Sequence, residues 1–358
     1  MQNLLLIGVL VVAQVVSAQN CLLPPRCAQS WKQSWDISGC AHFMNWGYEM
    51  EWWGKDAEHA AMQLQDRLSS IRGQDHAIPQ IMNAVLGKLH EPNVPLVLQF
   101  SGDNGVGKTY TAEQISLALS LRCGSTCSKG DNMLVIGGTA YKGFALDEAR
   151  KVMFGKIQEH ARRYPHGIIL INDIQSMDPD LVIALAPLFG REETFPEISD
   201  VALNKLIVLI TNDFGKAGKT RGLGARQIGQ LARKEFTDLY SVLTASSVRS
   251  YYFISVNDAV ARDITALELN TMPCRGYPSI KRVHYDDSVL SFVVQHLSNN
   301  YDLSVENGRA IHRSVQDTID LSTVQLMPKK MPLTVTLSVS RDGSKIVTTI
   351  APSHNDEL

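Results

Sequence analysis

A chain of 358 residues suffices for one large domain and a smaller one. Its 34 basic and 36 acidic residues are mixed along the sequence and leave a net charge of −2, which argues against a nucleic-acid surface. Beyond the first residues no long apolar run occurs, which argues against a polytopic membrane protein.

In chain order, Leu4 to Val16 is almost wholly apolar, with Gln14 as its polar residue, and Val16-Ser17-Ala18 gives a small-residue cleavage pattern before Gln19. Residues 1–18 are therefore expected to be a signal peptide, although only the amino terminus of Met1 supplies positive charge ahead of the apolar stretch. The stretch falls short of the ~20 residues a spanning helix needs, so an uncleaved anchor is the lesser alternative. Residues 19–60 form a Cys- and Trp-rich segment. It holds Cys21, Cys27 and Cys40 and all five tryptophans: Trp31, Trp35, Trp46, Trp52 and Trp53. The tryptophans suit either a cap packed on the main domain or a membrane-interface or partner-binding surface. With Cys123, Cys127 and Cys274 the cysteines number six; in an oxidising compartment an even count favours disulfides, whose pairing stays open. Their spacing is irregular for zinc and lacks nearby histidines, so a metal site is not expected there.

Residues 61–256 are expected to form a nucleotide-binding domain, and from Pro95 short apolar runs alternate with longer amphipathic ones. Leu96–Phe100, Met133–Ile136, Ile168–Ile171, Leu206–Thr211 and Tyr251–Ser255 suit buried strands, and Thr109–Arg122 and Leu146–Arg163 have helical spacing. The alternation implies an α/β fold, a parallel sheet with helices on both faces. Residues 257–350 are expected to form a small helical lid, with helices at Asp258–Leu269, Asp286–Leu297 and Gly308–Ile319. A C-terminal β-hairpin closes it, running from Pro332–Ser340 through an Asp342-Gly343 turn to Lys345–Ile350. The tail, residues 351–358, ends in Asn355-Asp356-Glu357-Leu358, close to the KDEL/HDEL address read by a retrieval receptor. Together with the leader it predicts a soluble protein of the endoplasmic reticulum (ER) lumen.

Two motifs carry the chemistry. Gly102-Asp103-Asn104-Gly105-Val106-Gly107-Lys108-Thr109 matches the P-loop pattern G-x4-G-K-T, after an expected strand and before an expected helix. Glycines let backbone N–H groups curl around phosphate oxygens, and the helix N-terminus adds positive potential. Lys108 would reach the β- and γ-phosphates of ATP, and the Thr109 hydroxyl would ligate Mg²⁺. The second motif is the strand Gly167–Ile171, whose tip is Asn172-Asp173 where P-loop ATPases usually place Asp-Glu. Asn172 offers a neutral carbonyl toward the metal, and Asp173 is one methylene shorter than the usual base. A misplacement of ~1 Å at a catalytic group costs roughly 100-fold, so ATP binding is expected and rapid hydrolysis is not. In a shifted register Asp173 would take the metal position and Ile174 the position of the base.

With these motifs the chain resembles the Clp/torsin branch of AAA+ ATPases, over about Gly73 to Ile350. Ile169 to Leu181 is similar to the Clp stretch that leads from the acidic motif into the next helix, and Gly73-Gln74-Asp75-His76-Ala77 is similar to the motif ahead of the P-loop. Val208-Leu209-Ile210-Thr211-Asn212 resembles the sensor-1 strand, which would make Asn212 a residue that orients the hydrolytic water. Gly308-Arg309-Ala310 resembles the start of the sensor-2 helix, from which Arg309 would approach the γ-phosphate. The resemblance implies a homo- or hetero-oligomeric ring, and the ER-luminal address fits torsins.

The departures are informative. Torsins usually carry Asn after the P-loop lysine and Gly-Cys-Lys at sensor 2, whereas this chain has Thr109 and Gly308-Arg309-Ala310. Where Clp proteins place an arginine finger the chain reads Thr244-Ala245-Ser246-Ser247-Val248-Arg249, with Ser247 in that place. By resemblance to torsins, an activator bound to the membrane would supply the arginine, an element worth roughly 10³–10⁵ in rate. Tyr141-Lys142-Gly143-Phe144 has the aromatic character of a Clp pore loop and equally suits a plain surface loop. Three functions follow: a slow or activator-dependent ATPase that remodels protein or membrane-associated complexes, a nucleotide-dependent scaffold without meaningful hydrolysis, and a small-molecule kinase. The lid and hairpin count against the kinase.

Overall fold

The computed structural model describes residues 14–17, 57–120, 129–190, 194–195, 200–213, 220, 222–240, 248–272, 280–322, 324 and 333–352. The six cysteines, the five tryptophans, Ser247 and the NDEL tail lie outside these residues. Two compact units are present, one of residues 23–255 and one of residues 256–358 with 1–22.

The larger unit is built on a five-stranded parallel sheet. Its strands are β2 (Leu96–Ser101), β3 (Met133–Gly137), β4 (Ile168–Asn172), β5 (Ile207–Asn212) and β6 (Arg249–Tyr252), in the order β3-β4-β5-β2-β6. Parallel strands buried on both faces need apolar side chains in both directions. That is why β2 and β5 are buried at every residue. One face is covered by α1 (Ala57–Ser69), α2 (Ile78–His90) and α3 (Lys108–Leu119). Ala60, Leu64 and Leu68 recur every four residues and are fully buried, so α1 presents one stripe to the sheet. The other face is covered by α4 (Leu146–Arg163), α5 (Pro179–Ala184) and α6 (Ala225–Tyr240). On α4 the stripe is Ala149, Met153, Ile157 and Ala161. Asp178 caps α5 by accepting from the Asp180 N–H at 2.9 Å.

Lys88, on α2, is 3% exposed, and its ammonium donates to the carbonyls of Pro92, Val94 and Asn204 at 2.8, 2.6 and 2.7 Å. Desolvation pushes it down to about 7, but only the protonated amine has three hydrogens for three acceptors, so the geometry holds it charged. It ties the turn before β2 to the turn before β5.

In this unit the last strand differs from the sequence expectation, and α1, α2 and α6 had none. The last strand was expected at Tyr251–Ser255 and runs from Arg249 to Tyr252. Its first residues are polar because it is an edge strand; Phe253 still donates its N–H to Ser101 O at 2.7 Å, and the chain then leaves the sheet. Helix α6 buries Ile228 and Ala232, four residues apart, and no expectation covered it.

In the smaller unit, α7 (Asp258–Thr271), α8 (Asp287–Asn300), α9 (Leu303–Glu306) and α10 (Gly308–Thr318) accompany a mixed sheet. Asn257 and Asp286 cap α7 and α8 through their side-chain oxygens. The expected hairpin forms as β8 (Leu333–Val339) and β9 (Ile346–Pro352), antiparallel from Leu333↔Pro352 to Val339↔Ile346. It is joined by a strand the sequence reading missed, β7 (Ile280–Tyr285), which runs parallel to β8. Residues β1 (Gln14–Ser17) lie antiparallel on the other edge of β7. Among the described residues no helix is long and apolar enough to cross a membrane.

Burial sets an acid limit on stability. Desolvation pushes His160 and His166 down to about 4 from an ordinary 6.5, with the cations Lys129 and Arg163, and Lys88 and Lys205, acting in the same sense. Both rings are therefore neutral in the fold, while the unfolded chain takes up protons below about 6.5. This contribution is complete above the unfolded value and is lost as pH falls toward 4. Denaturant titrations should show a loss of roughly 1–2 kcal/mol per histidine between about pH 7 and pH 5. A His160→Gln variant, which keeps a donor for the Asn132 carbonyl, should lose correspondingly less.

Candidate functional site

The site forms at the C-terminal tips of β2, β4 and β5, where a parallel sheet delivers several chain segments to one edge. After Ser101 the chain turns sharply. Gly102 has φ +154, and a Cβ there would lie 2.5 Å from the Phe253 carbonyl oxygen, so a side chain cannot be accommodated. Gly107, at φ +102, is the left-handed residue from which α3 starts, and the Thr111 N–H bonds to its carbonyl at 2.8 Å. Lys108 is 7% exposed, and its ammonium donates to Gly102 O at 2.7 Å and Asp103 O at 2.6 Å, bending the chain back across the loop mouth. Gly105 also takes positive φ, Val106 is packed in the core and Asn104 is exposed at the rim.

Two hydroxyls converge on one amide oxygen. Thr109 Oγ1 donates to Asn172 Oδ1 at 3.0 Å, and Thr211 Oγ1 donates to the same oxygen at 2.9 Å. Thr211 Oγ1 also accepts from the Asp173 N–H at 3.0 Å, and Asn172 Nδ2 donates to Asp173 Oδ2 at 3.3 Å. Asn172, rather than Asp173, thus meets the Thr109 hydroxyl. Asp173 adopts φ 56, ψ 54, a left-handed conformation costly for a residue with a Cβ and held here by its neighbours.

Asn212 ends β5 and is paired in register with Ser101. It is fully buried, and among the described residues neither its Oδ1 nor its Nδ2 has a hydrogen-bond partner. A buried amide left unsatisfied at the edge of a P-loop marks a place where a bound group or water completes the bonding. The residues thus fit Mg·ATP: a glycine-rich cradle at a helix start, an ammonium, oxygens of Thr109 and Asn172 side by side, and an orphaned amide.

Arg309 belongs to the smaller unit. It is exposed on α10 and pairs with none of the described residues. Arg249 is exposed at the start of β6. In the candidate pore loop, Tyr141 is buried, with its ring 6.2 Å from that of Phe144 and Lys156 above it at 5.7 Å; Phe144 is 47% exposed. The loop borders a cleft of about 330 Å³ with Met177, Asp178 and Leu181.

Three contributions escaped the sequence reading. Gln74, 1% exposed, donates to Val106 O at 3.4 Å and to Ile254 O at 2.9 Å, and accepts from the Ile254 N–H at 3.0 Å. The side chain thus binds the P-loop to the segment after β6, and the Gly-Gln pair was its signal. Thr211 was noted as part of the sensor strand, with no sign that it would grip both Asn172 and Asp173. The sequence places Asp103 in the P-loop and gives no role to its side chain, yet its carboxylate accepts from Thr220 and, at 3.1 Å, from Ser255.

No family model matches the chain. Among curated proteins it is similar to chaperone protein ClpB of Mycoplasmoides gallisepticum, 24% identical over 274 residues that span 72% of this chain and 36% of the relative. It is also similar to heat shock protein 100 of Trypanosoma brucei brucei, 23% identical over 309 residues that span 77% of this chain and 33% of the relative. The chain therefore spans about a third of the length of the curated relatives it matches. Among solved structures it is similar to the extended S. cerevisiae Hsp104:casein complex, with TM-score 0.66 and 15% identity over 86% of this chain and 55% of that one. A closed-state Hsp104 with ATPγS and FITC casein gives 0.64 and 16% over 83% and 52%.

The Thr211 hydroxyl can be removed with little change of shape. Thr211→Val should cost about 1–2 kcal/mol in a denaturant titration, because the Asp173 N–H loses its acceptor. The same change should weaken ATP binding in magnesium more than in chelator, as read by calorimetry.

Proposed function

We propose that this chain, an AAA+ protein of the Clp branch, binds Mg·ATP in the P-loop and hydrolyses it slowly unless an activator completes the site. The observation that carries the reading is the buried, unpartnered Asn212 in register beside the P-loop strand. In this reading the backbone N–H groups of Gly105 to Thr109 and the Lys108 ammonium hold the phosphates. Thr109 and Asn172 would hold Mg²⁺, which when bound supplies charge neutralisation at the phosphates. Asn212 orients a water toward the γ-phosphorus, and Asp173 accepts its proton as the bond to the β-phosphate oxygen breaks and ADP leaves. Arg309 steadies the γ-phosphate from the lid.

The polar tip of β4 explains why turnover would be slow. Asn172 brings a neutral oxygen where a carboxylate would attract the metal, and Asp173 is short and held in a left-handed conformation. The same observation favours a second reading, a scaffold that cycles by binding and releasing nucleotide. The resemblance to torsins motivates an activator at the membrane that donates an arginine, and a ring. The relatives' printed names, chaperones and complexes with casein, motivate remodelling of protein substrates. The leader-like start and the NDEL tail motivate an ER-luminal location.

Turnover of the purified chain should be low but above that of a Lys108→Ala variant, and should rise with ER membrane extract. Values equal to Lys108→Ala in both settings would remove the ATPase and leave the scaffold. Asn172→Asp combined with Asp173→Glu should raise turnover of the isolated chain; a flat response would misplace the acidic motif. Deleting residues 355–358 should move the expressed protein from cells into the medium, and unchanged retention would refute the address.

A further inference from the structure

Strand β2 departs from the rule that a central parallel strand is apolar on both faces. Leu96, Leu98 and Phe100 give an apolar row to the face covered by α1, α2 and α3. On the other face Val97 is followed by Gln99 and Ser101, both buried. Gln99 is satisfied from the adjoining β6, where Ser250 Oγ donates to its Oε1 at 2.8 Å. Ser101 is not: it is fully buried, and among the described residues nothing bonds to its Oγ.

Ser101 is the middle of a row. In register it stands between Asn212 of β5 and Tyr252 of β6. Register partners on parallel strands project to the same face, here the face on which Val97, Ile210 and Tyr252 pack with α4, α5 and α6. Both amide atoms of Asn212 and the buried Tyr252 Oη are, like Ser101 Oγ, without a partner among the described residues. A Cβ on Gly229 of α6 would lie 2.6 Å from the Tyr252 ring, so α6 closes over this end of the row. Each orphaned group costs free energy if it stays dry. Neighbours in one row share a single remedy. Asn, Ser and Tyr carry no charge at neutral pH, so the occupant that suits them is neutral. Strands about 4.8 Å apart put the Ser101 and Asn212 side chains within reach of one water.

We propose that Ser101, backed by Tyr252, is a positioning residue for Asn212: it shares a buried water with the amide and fixes which way Oδ1 and Nδ2 face. The kinetic part of this rests on the hydrolysis reading of the site. An amide bonded to nothing can turn over and offer a donor or an acceptor at the same place. Only one of the two orientations suits the water that attacks the γ-phosphorus. A hydroxyl and a buried water on the neighbouring strand select it before nucleotide arrives. Ser101 and Tyr252 lie outside the Gly102–Thr109 cradle, so their effect falls on the chemical step and not on affinity.

Two readouts on the full chain test this. The first needs no nucleotide: a crystal structure that resolves ordered water, with thermal melts of Ser101→Ala and Tyr252→Phe. A water bonded to Ser101 Oγ and to the Asn212 amide is expected, and both variants should melt at or below the wild-type Tm. A dry row, other protein groups bonded to these atoms, or a Tm that rises when a hydroxyl is removed overturns the proposal. The second readout is single-turnover hydrolysis beside calorimetric Kd for Mg·ATP. Ser101→Ala should slow turnover about tenfold and leave Kd within about twofold. Ser101→Ala combined with Asn212→Ala should be no slower than Asn212→Ala alone. Additive losses, or a loss of affinity that matches the loss of rate, overturn the positioning role. Wild-type turnover equal to that of Lys108→Ala overturns the hydrolysis reading and the kinetic role with it, and the water is then decided by the first readout.

Discussion

The Lys108 ammonium, bonded to the carbonyls of Gly102 and Asp103, is the interaction on which the rest of the site depends. Those carbonyls point inward because Gly102 passes under the Phe253 carbonyl too closely for any Cβ. The chain can then curl and present its N–H groups outward, at the start of a helix whose dipole adds to their field. Loop shape, lysine position and the approach of the strand after β6 are therefore one packed arrangement. Gln74 reinforces it by bonding both the loop and the Ile254 backbone.

Around this fixed loop the tip of β4 is electrostatically mild. An amide oxygen gathers two hydroxyl donors, and the adjoining carboxylate receives the amide hydrogen. Asn172 thus accepts and donates within a set of neighbouring side chains. A carboxylate at position 172 would bind a cation more strongly and would lose the Nδ2 bond to Asp173, placing two acids side by side. The Asn-Asp pair therefore forgoes a carboxylate at position 172 and keeps a bond between the two side chains.

The sequence showed the features that rest on local chemistry. The P-loop is legible because its glycines and lysine act within eight residues, and β2, β4 and β5 are legible because strands buried on two faces must be apolar throughout. β7 escaped because Ile280, Val283 and Tyr285 alone are buried while Lys281, Arg282 and His284 interrupt them. α6 was legible in principle, since Ile228, Leu231, Ala232 and Phe236 recur at helical spacing. The supporting contacts were not legible for another reason. Gln74 and Ile254 are 180 positions apart, and Asp103 and Thr220 are 117 apart, so no local pattern announces that they bond.

The lysine at position 88 has a consequence for how the chain can be handled chemically. Its nitrogen has all three hydrogens committed to backbone oxygens and almost no surface. An acylating reagent needs a free amine lone pair, which this environment denies while the fold persists. Acylation at this side chain therefore requires that the α2–β2 corner has opened, and once acylated the nitrogen can no longer bridge three carbonyls. Covalent capture at position 88 would make a transient opening permanent.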